Sequence, residues 1–347
     1  MIRSVSIIGA GTMGGGIALT TIKAGLPTCV IDLSPEALAR LDQRLDRHFA
    51  REIEKGRMDE GQVRAARNCL TVSGDLAAVA GSDLVIEAVF EDIGVKHDLL
   101  SRLQPLLAPD VMIATNTSCL LVSEIGTVLD DPGRLLGLHY FAPAEACPTV
   151  EVISTPATRE PVRSQALDFL ARTGKSPLPC KDSPGFALNR FLCPYCNEAV
   201  RIMDEGLATP AQIDAVARDL FDVPAGPFQV MNLTKPAIML HAMQGLERLG
   251  ENYRPAAGLL KIGREGTGWR IDEGPRALPD VTRRIIAGRL TDALCRPAME
   301  ALAEGVASAE DMDRGAREAL RLGRTPIAIL DGMSAAERER TRTAGRA

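Results

Sequence analysis

Three glycines near the start of the chain have the spacing of a phosphate-binding turn. Gly9, Gly11 and Gly14 follow a short β-branched run and open a helix-like segment. In this pattern the first glycine permits a tight strand-to-helix turn, the second lets the backbone approach a pyrophosphate, and the third lets helix and strand pack closely. Amides at the helix start, here those of Thr12 and Met13, then hold the phosphate charge. The sequence therefore predicts a dinucleotide site at this turn.

An acidic residue follows the glycines at the distance expected for a ribose contact. Residues 29–31 are predicted as a second strand, and Asp32 ends it. A carboxylate there accepts hydrogen bonds from a ribose 2′-hydroxyl and repels a 2′-phosphate. Leu33 and Ser34 bring no cation to offset that repulsion. This context favours NAD over NADP, and it favours a cofactor site over a glycine-rich loop that only turns the chain.

A base and a partner acid occur farther along the chain. An alcohol that gives up a hydride must also lose its hydroxyl proton, and a histidine with an ordinary pKa of about 6.5 suits that removal. Among the four histidines, only His139 directly follows a predicted sheet strand. Glu151 would bind the other ring nitrogen and stabilise the imidazolium. The alternatives are a structural histidine and a strand-edge carboxylate.

Two neutral hydrogen-bond donors accompany this pair. Ser118 follows a predicted strand, and Asn189 lies near the start of a helix-like segment. Both side chains are suited to holding a substrate oxygen while its charge changes. The alternatives are a turn residue for Ser118 and a helix cap for Asn189, since both residue types favour those places. No metal site is predicted.

The segments that must position these residues alternate between strand and helix. Apolar runs predict further strands at residues 70–72, 83–89, 111–115, 135–138 and 150–153, and helices are predicted at 34–59, near 75–80 and at 95–107. In the first of these helices Ser34 is the expected N-cap and Pro35 the first helical residue. This alternation predicts a Rossmann domain, with a doubly wound, mostly parallel sheet and a ligand crevice beyond the strand carboxyl ends.

A helical part follows a proline-containing segment at residues 176–185, which indicates a domain boundary. We expect the NAD-binding domain at residues 1–184, a first helical domain at 185–283, a second, shorter copy at 284–335 and a charged tail at 336–347. The repeat has an offset of 99 residues and matches Arg190 with Arg289, Ala199 with Ala298, Glu205-Gly206 with Glu304-Gly305, Asp214 with Asp313, and Pro227 with Pro326. The alternative is chance similarity between two helical stretches.

Composition excludes several classes of protein. The 347 residues are 46% hydrophobic and 24% charged, with a formal net charge of −5, so neither a nucleic acid nor a membrane is an expected partner. The N-terminus enters the first strand directly, without a signal-like segment, and we expect a cytoplasmic protein. The eight cysteines lack a disulfide spacing. Cys193 and Cys196 have redox-motif spacing, but the residues before them are helix-like, and we interpret both as packing residues.

The chain resembles the 3-hydroxyacyl-CoA dehydrogenase family from Val5 to about Leu330. The motifs that carry the resemblance are Gly9-x-Gly11-x-x-Gly14, Asn116-Thr117-Ser118, Gly137-Leu138-His139-Tyr140-Phe141-x-Pro143, Val150-Glu151-Val152-Ile153 and Lys181-Asp182-Ser183-Pro184-Gly185-Phe186-Ala187-Leu188-Asn189-Arg190. The resemblance implies NAD-dependent oxidation of an L-3-hydroxyacyl thioester to the 3-oxo compound. It implies a catalytic dyad of His139 and Glu151, with Ser118 and Asn189 lining the reacting carbon.

The resemblance also assigns residues that recognise the cofactor and the carrier. Glu91 and Lys96 match family positions beside the nicotinamide half of the cofactor, with a surface ion pair as the alternative. Lys55 matches a CoA contact, and His48 stands where the family has a serine. Lys55 also ends a stripe of cations on one predicted helix face, formed with Arg40, Arg44, Arg47 and Arg51. This stripe would meet a phosphate-rich substrate or, alternatively, remain solvated.

Three departures from the family pattern affect substrate recognition. Ala142 stands where the family usually has asparagine, residues 144–148 add a carboxylate at Glu145, and a lysine expected at residues 261–269 is replaced. The carrier is therefore CoA or acyl carrier protein, and a small polar hydroxy acid is a further alternative substrate. A non-catalytic NAD-binding structural protein is the alternative of a different class. The duplicated helical domain predicts a monomer with an internal pseudo-dimer, with a homodimer as the alternative.

Overall fold

The computed structural model describes residues 1–272 and 277–343. The chain divides into two compact units, Met1–Asp182 and Ser183–Ala347. The boundary falls inside the predicted segment 176–185. In the described residues, no helix combines the length and the apolar character that crossing a membrane requires.

The first unit is built on one sheet of eight strands. In chain order they are β1 (Val5–Ile8), β2 (Thr28–Ile31), β3 (Leu70–Ser73), β4 (Leu84–Glu87), β5 (Met112–Thr115), β6 (Leu135–Tyr140), β7 (Thr149–Ser154) and β8 (Ser176–Lys181). Their spatial order is β3-β2-β1-β4-β5-β6-β7-β8. Strands β6 and β7 pair antiparallel, and the other neighbours pair parallel. The doubly wound, mostly parallel sheet predicted from the sequence is confirmed.

Helices cover this sheet, and its central strands are wholly buried. They are α1 (Thr12–Lys23), α2 (Pro35–Glu54), α3 (Glu60–Asn68), α4 (Ile93–Leu103), α5 (Val122–Ile125) and α6 (Glu160–Arg172). Every residue of β1, β4, β5 and β6 is buried, as expected for strands with covered faces. The Ser34 hydroxyl accepts from the amide of Ala37 at 3.1 Å, which confirms the predicted N-cap of α2.

Some elements differ from the sequence expectation. The predicted helix at 34–59 ends at Glu54, because Gly56 has φ +65° and turns the chain before α3 begins. The predicted helix near residues 75–80 is a short 3₁₀ helix, Leu76–Val79. Residues 176–181, expected only as a boundary, form the edge strand β8. Prolines are tolerated there because an edge strand has one unpaired side.

The second unit is helical. It contains α7 (Asn189–Asp204), α8 (Pro210–Phe221), α9 (Pro227–Thr234), α10 (Pro236–Leu246), α11 (Ala257–Glu265), α12 (Asp280–Ala303), α13 (Ala309–Glu318), α14 (Pro326–Gly332) and α15 (Ala335–Thr343). Helices α7 and α12 form its central pair. Residues 335–343, mostly in the segment expected as a charged tail, form α15, whose buried Thr341 donates to Asp292 of α12 at 2.8 Å.

The Cys193 and Cys196 pair lies inside α7. Both residues are buried, and burial raises the pKa of the Cys196 thiol. A redox cysteine needs a stabilised thiolate at a helix start, which this position does not supply. None of the eight cysteines forms a disulfide in the described part of the chain.

Candidate active site

The glycine turn leaves open space at one position and none at two others. A Cβ at Gly9, where φ is +107°, would lie 2.5 Å from the carbonyl oxygen of Ala88, and a Cβ at Gly14 would lie 1.8 Å from that of Gly9. A Cβ at Gly11 would meet no described atom within 4 Å. Gly9 and Gly14 therefore serve the turn and the close packing. Gly11 fits the role of leaving room for a phosphate beside the start of α1.

Asp32 links the glycine turn to the N-cap of α2. Its two carboxylate oxygens accept from the amide of Ala10 at 2.7 Å and from the amide of Ser34 at 2.9 Å. Each carboxylate oxygen accepts more than one hydrogen bond. The geometry thus fixes the orientation of Asp32 and keeps acceptor capacity for a ribose hydroxyl.

An unforeseen ion pair lies beside the same turn. The Arg44 guanidinium donates to both oxygens of Glu145 at 2.9 Å and also donates to the backbone carbonyl of Thr12. Burial alone would raise the pKa of Glu145, but the Arg44 contacts lower it below its usual range. Of the predicted basic stripe, Arg44 is therefore engaged within the protein. Arg51 and Lys55 are exposed on and just after α2 and form no ion pair with another described residue.

Two carboxylates and one ammonium meet where β4 and β5 end. Lys96 donates to both oxygens of Glu87, at 2.7 and 2.8 Å, and lies 3.3 Å from Glu91. The Thr115 hydroxyl also donates to Glu87, at 2.5 Å. Glu87 and Lys96 are almost wholly buried. Sequence reasoning missed Glu87, although a carboxylate within an apolar strand signals a buried partner.

Glu91 organises the turn that carries Ser118. One oxygen of Glu91 accepts from the Thr117 hydroxyl at 2.5 Å, from the amide of Ser118 at 2.7 Å and from the amide of Cys119 at 3.0 Å. Burial alone would raise the pKa of Glu91, but Lys96 and these donors lower it. The predicted residues Glu91, Lys96 and Ser118 therefore belong to one connected network.

His139 and Glu151 lie opposite each other on β6 and β7. They are direct partners in the antiparallel register, and the distance from His139 Nδ1 to Glu151 Oε2 is 2.6 Å. Both side chains are buried, with His139 4% exposed. Because an ionised carboxylate only accepts, Nδ1 carries the proton and the neutral tautomer has its lone pair on Nε2. The arrangement is that of a histidine base oriented by an acid.

Asn189 belongs to the second unit, where it is the first residue of α7. The next residue, Arg190, is 1% exposed and donates to Ser183 at 3.2 Å and to Glu304 at 2.5 Å. Sequence reasoning used Arg190 as a repeat marker and as the last residue of a family motif, and gave it no role in the structure. A buried guanidinium needs carboxylate or carbonyl partners, but the sequence does not show which residues supply them.

Two family models match the chain. The model of the 3-hydroxyacyl-CoA dehydrogenase NAD binding domain matches residues 4–183, and the model of the 3-hydroxyacyl-CoA dehydrogenase C-terminal domain matches residues 185–267. A probable 3-hydroxybutyryl-CoA dehydrogenase of Bacillus subtilis is 34% identical over 267 residues, which is 76% of this chain and 93% of that protein. The mitochondrial hydroxyacyl-coenzyme A dehydrogenase of Homo sapiens is 34% identical over 273 residues, 76% of this chain and 86% of the human protein.

Solved structures of two dehydrogenases resemble this protein in fold. The (S)-3-hydroxybutyryl-CoA dehydrogenase of Ralstonia eutropha superposes with a TM-score of 0.74 at 31% identity and covers 78% of this chain and 96% of its own. The fold of a 3-hydroxybutyryl-CoA dehydrogenase of Escherichia coli K12 matches 98% of this chain and 93% of its own, with a TM-score of 0.86 at 24% identity. The cofactor of the matched N-terminal domain is NAD. The chain belongs to the 3-hydroxyacyl-CoA dehydrogenase family, whose members are NAD-dependent oxidoreductases.

Proposed function

We propose that this protein oxidises the 3-hydroxyl group of an L-3-hydroxyacyl-CoA to the 3-oxo group. His139 would take the hydroxyl proton as a C=O bond forms at C3, and NAD held at the glycine turn would accept the hydride that leaves C3. The observation that carries the proposal is the buried 2.6 Å contact between His139 and Glu151 in a sheet that also presents the glycine turn. Both features lie in the first unit.

The chain's own residues supply the proton chemistry. Nε2 of His139 accepts the hydroxyl proton, since Glu151 holds the Nδ1 proton. The Glu151 carboxylate then stabilises the imidazolium, which a neutral partner would do less well. Ser118 and Asn189 stay predicted as donors to the substrate oxygen. Bound NAD supplies the hydride acceptor.

The proposed carrier is CoA, and its proposed contacts are Lys55 and Arg51. Both cations are exposed and outside any ion pair of the described residues, so they are available to phosphate groups. A Lys55→Ala, Arg51→Ala double variant should raise KM for a CoA thioester and leave KM for the corresponding N-acetylcysteamine thioester unchanged, because the latter has no phosphate. A preference for acyl carrier protein thioesters over CoA thioesters would instead favour the alternative carrier.

The experiment for the activity itself is a substrate panel read by NADH absorbance. L-3-Hydroxybutyryl-CoA and longer L-3-hydroxyacyl-CoA compounds should yield NADH, and the D-enantiomers should not. If no thioester or small hydroxy acid yields NADH while NAD still binds, the protein is a non-catalytic NAD-binding protein and the proposal is wrong.

We also propose that residues 185–283 and 284–335 are two copies of one helical domain. At the 99-residue offset, Thr209 and Ser308 both cap a helix, Pro227 and Pro326 both begin one, and Gly206 and Gly305 have φ of +71° and +63°. Asp222 and Arg321 have φ of +50° and +59°, a conformation rarely shared by chance. Helices α10 and α15 begin at Pro236 and Ala335, which are also 99 residues apart, so the repeat extends into the last helix. The predicted boundary at residue 283 falls inside α12.

The contacts between the copies are reciprocal. Arg190 donates to Glu304 at 2.5 Å, and its counterpart Arg289 donates to Glu205 at 2.8 Å. Each arginine thus binds the glutamate of the other copy, which is the pattern of a two-fold interface. Because this interface is satisfied within one chain, we expect light scattering to give the mass of a monomer. A concentration-independent dimer would contradict the internal pseudo-dimer.

The proposed location is the cytoplasm, in keeping with cysteines that form no disulfide in the described residues.

A further inference from the structure

The network of Glu87, Lys96 and Glu91 has an excess of negative charge. The Glu87 carboxylate only accepts hydrogen bonds from the described residues. Its donors are Lys96 Nζ, the Thr115 hydroxyl and the amide of Val89, the last at 2.8 Å. Glu91 likewise receives only donors, from Lys96, Thr117, Ser118 and Cys119. Lys96 and these donors hold the pKa of Glu91 below its usual range. With Lys96 as the one ammonium that pairs with them in residues 1–272 and 277–343, the network carries a net charge of about −1.

The position of the network relates it to one end of the cofactor. In a doubly wound sheet, one half binds each nucleotide at the carboxyl ends of its strands. Asp32 follows β2, which places the adenosine in the half formed by β1 to β3. The nicotinamide then belongs to the half formed by β4 to β6. Glu87 is the last residue of β4, and its partner Thr115 is the last residue of β5.

The two redox states of the cofactor differ in charge at the nicotinamide ring. The oxidised ring carries one positive charge and the reduced ring is neutral. A fixed negative charge in a buried, weakly screened place therefore stabilises the oxidised state selectively. The adenosine, the two riboses and the pyrophosphate are the same in both states, so they do not discriminate between them.

We infer that Glu87, in a network that Lys96 joins to Glu91, makes the protein bind NAD more tightly relative to NADH than an uncharged network would. Glu87 is a positioning and electrostatic residue, because it acts through its own charge and its contact with Lys96. The inference rests on the proposed function for the presence of NAD at this site. It assigns a role to a residue that the hydride transfer itself does not use.

The test compares dissociation constants by calorimetry for NAD, NADH and ADP-ribose on the full-length protein. Glu87→Gln removes one charge, and its new amide has the Thr115 hydroxyl as an acceptor. We expect the ratio Kd(NADH)/Kd(NAD) to fall about tenfold, which corresponds to about 30 mV for a two-electron couple. Affinity for ADP-ribose, which lacks nicotinamide, should stay within about twofold.

Further variants separate charge from structure. Glu91→Gln, on a more exposed side chain, should lower the same ratio, and the charge-conserving Glu91→Asp should restore most of it. Asp32→Asn acts at the adenosine half, so it should weaken NAD and NADH equally and leave the ratio unchanged. Because partial misfolding lowers the number of sites but not the ratio, the comparison holds for a less stable variant.

Two results would overturn the inference. One is an unchanged ratio in Glu87→Gln. The other is an equal loss of affinity for NAD, NADH and ADP-ribose, which would identify the network as structural support only. In either case NADH formation from a hydroxyacyl-CoA by the wild-type protein would leave the proposed function standing. Absence of NAD binding to the wild-type protein would instead refute the proposed cofactor site.

Discussion

The side-chain oxygen of Asn116 accepts the hydrogen bond from the Tyr140 amide in place of a strand backbone carbonyl. Pairing between β5 and β6 ends at Thr115 and Gly137, yet the amide of Tyr140 donates to the Asn116 side-chain oxygen at 2.9 Å. Asn116 follows β5 directly and is 8% exposed. The contact therefore extends the hydrogen bonding of β6 up to the residue after His139. It restrains the backbone that carries the proposed base.

Removal of this acceptor should affect catalysis more than folding. Asn116→Ala should lower kcat about tenfold, because small displacements of a base are costly, and should lower the free energy of unfolding by about 1 kcal/mol. Asn116→Asp keeps an acceptor oxygen and should retain most of kcat. Steady-state kinetics and urea unfolding check both effects. A wild-type kcat in Asn116→Ala would show that the contact does not position His139.

The open position at Gly11 gives a direct test of the phosphate site. Gly11→Ala adds a Cβ that meets no described atom within 4 Å, so the melting temperature should stay unchanged. Affinity for NAD should fall at least about tenfold, since the methyl group fills space the pyrophosphate needs. Calorimetry and thermal unfolding measure the two quantities.

Gly16→Ala, inside the helix α1 that follows Gly11, is the matched control. Its Cβ would lie 2.6 Å from Glu145 Oε2 and 2.9 Å from the Cβ of Ala144, so the variant should lose about 1 to 3 kcal/mol of stability through crowding. Unchanged NAD affinity in Gly11→Ala would remove the glycine turn from the proposed site.

Asp214 should make the stability of the second unit depend on pH. Burial raises the pKa of Asp214 from 3.8 to about 6, although the amides of Phe228 and Gln229 donate to its carboxylate and oppose the rise. The folded state therefore holds this proton more tightly than the unfolded chain. The resulting contribution, about 3 kcal/mol at most, is present below pH 4 and is lost as the pH rises through about 6.

Asp214→Asn removes the titrating group and should flatten this part of the stability profile. Urea unfolding of both proteins at pH 4, 5, 6 and 7 measures the difference in slope. Parallel profiles for the variant and the wild type would show that Asp214 has an ordinary affinity for protons.

Variants of two buried glutamates separate an effect on kcat from an effect on stability. Glu151→Gln keeps the shape of the side chain but loses the charge that stabilises imidazolium, and we expect kcat to fall about a hundredfold or more. Glu52→Gln, on the buried side of α2, loses contacts to Lys23 and Arg57 and should lower stability without changing kcat. Comparable losses of kcat in the two variants would refute a specific role for Glu151.

Local patterns predicted the sheet, because strand periodicity and turn chemistry are encoded in neighbouring residues. The resemblance to the family implied the pair of His139 and Glu151. The edge strand β8 escaped prediction, since its prolines are typical of loops and only an unpaired edge tolerates them. Glu87 escaped because the strand that carries it does not show which residues pair with it, Lys96 on the following helix and Thr115 on the next strand of the sheet. The carboxylate in an apolar strand signals that a partner exists, and only the folded structure shows which residue it is.

The ion pair of Arg44 and Glu145 is a second contact that the sequence did not predict. A row of cations on one helix face predicts either a binding surface or a solvated surface. Both interpretations assume that all the cations of the row have the same surroundings. The structure separates its members, because Arg44 reaches a loop 101 residues away while Arg51 and Lys55 stay exposed. Only tertiary packing makes that distinction.

The most direct test of the account is NADH formation in a single turnover by the wild-type protein and by His139→Gln. With saturating NAD and L-3-hydroxybutyryl-CoA, the wild-type protein should form NADH together with 3-oxobutyryl-CoA. His139→Gln should bind NAD with unchanged affinity, and its rate should be about a thousandfold lower. A wild-type rate in His139→Gln, or no NADH from any hydroxyacyl-CoA in the wild-type protein, would contradict the central claim.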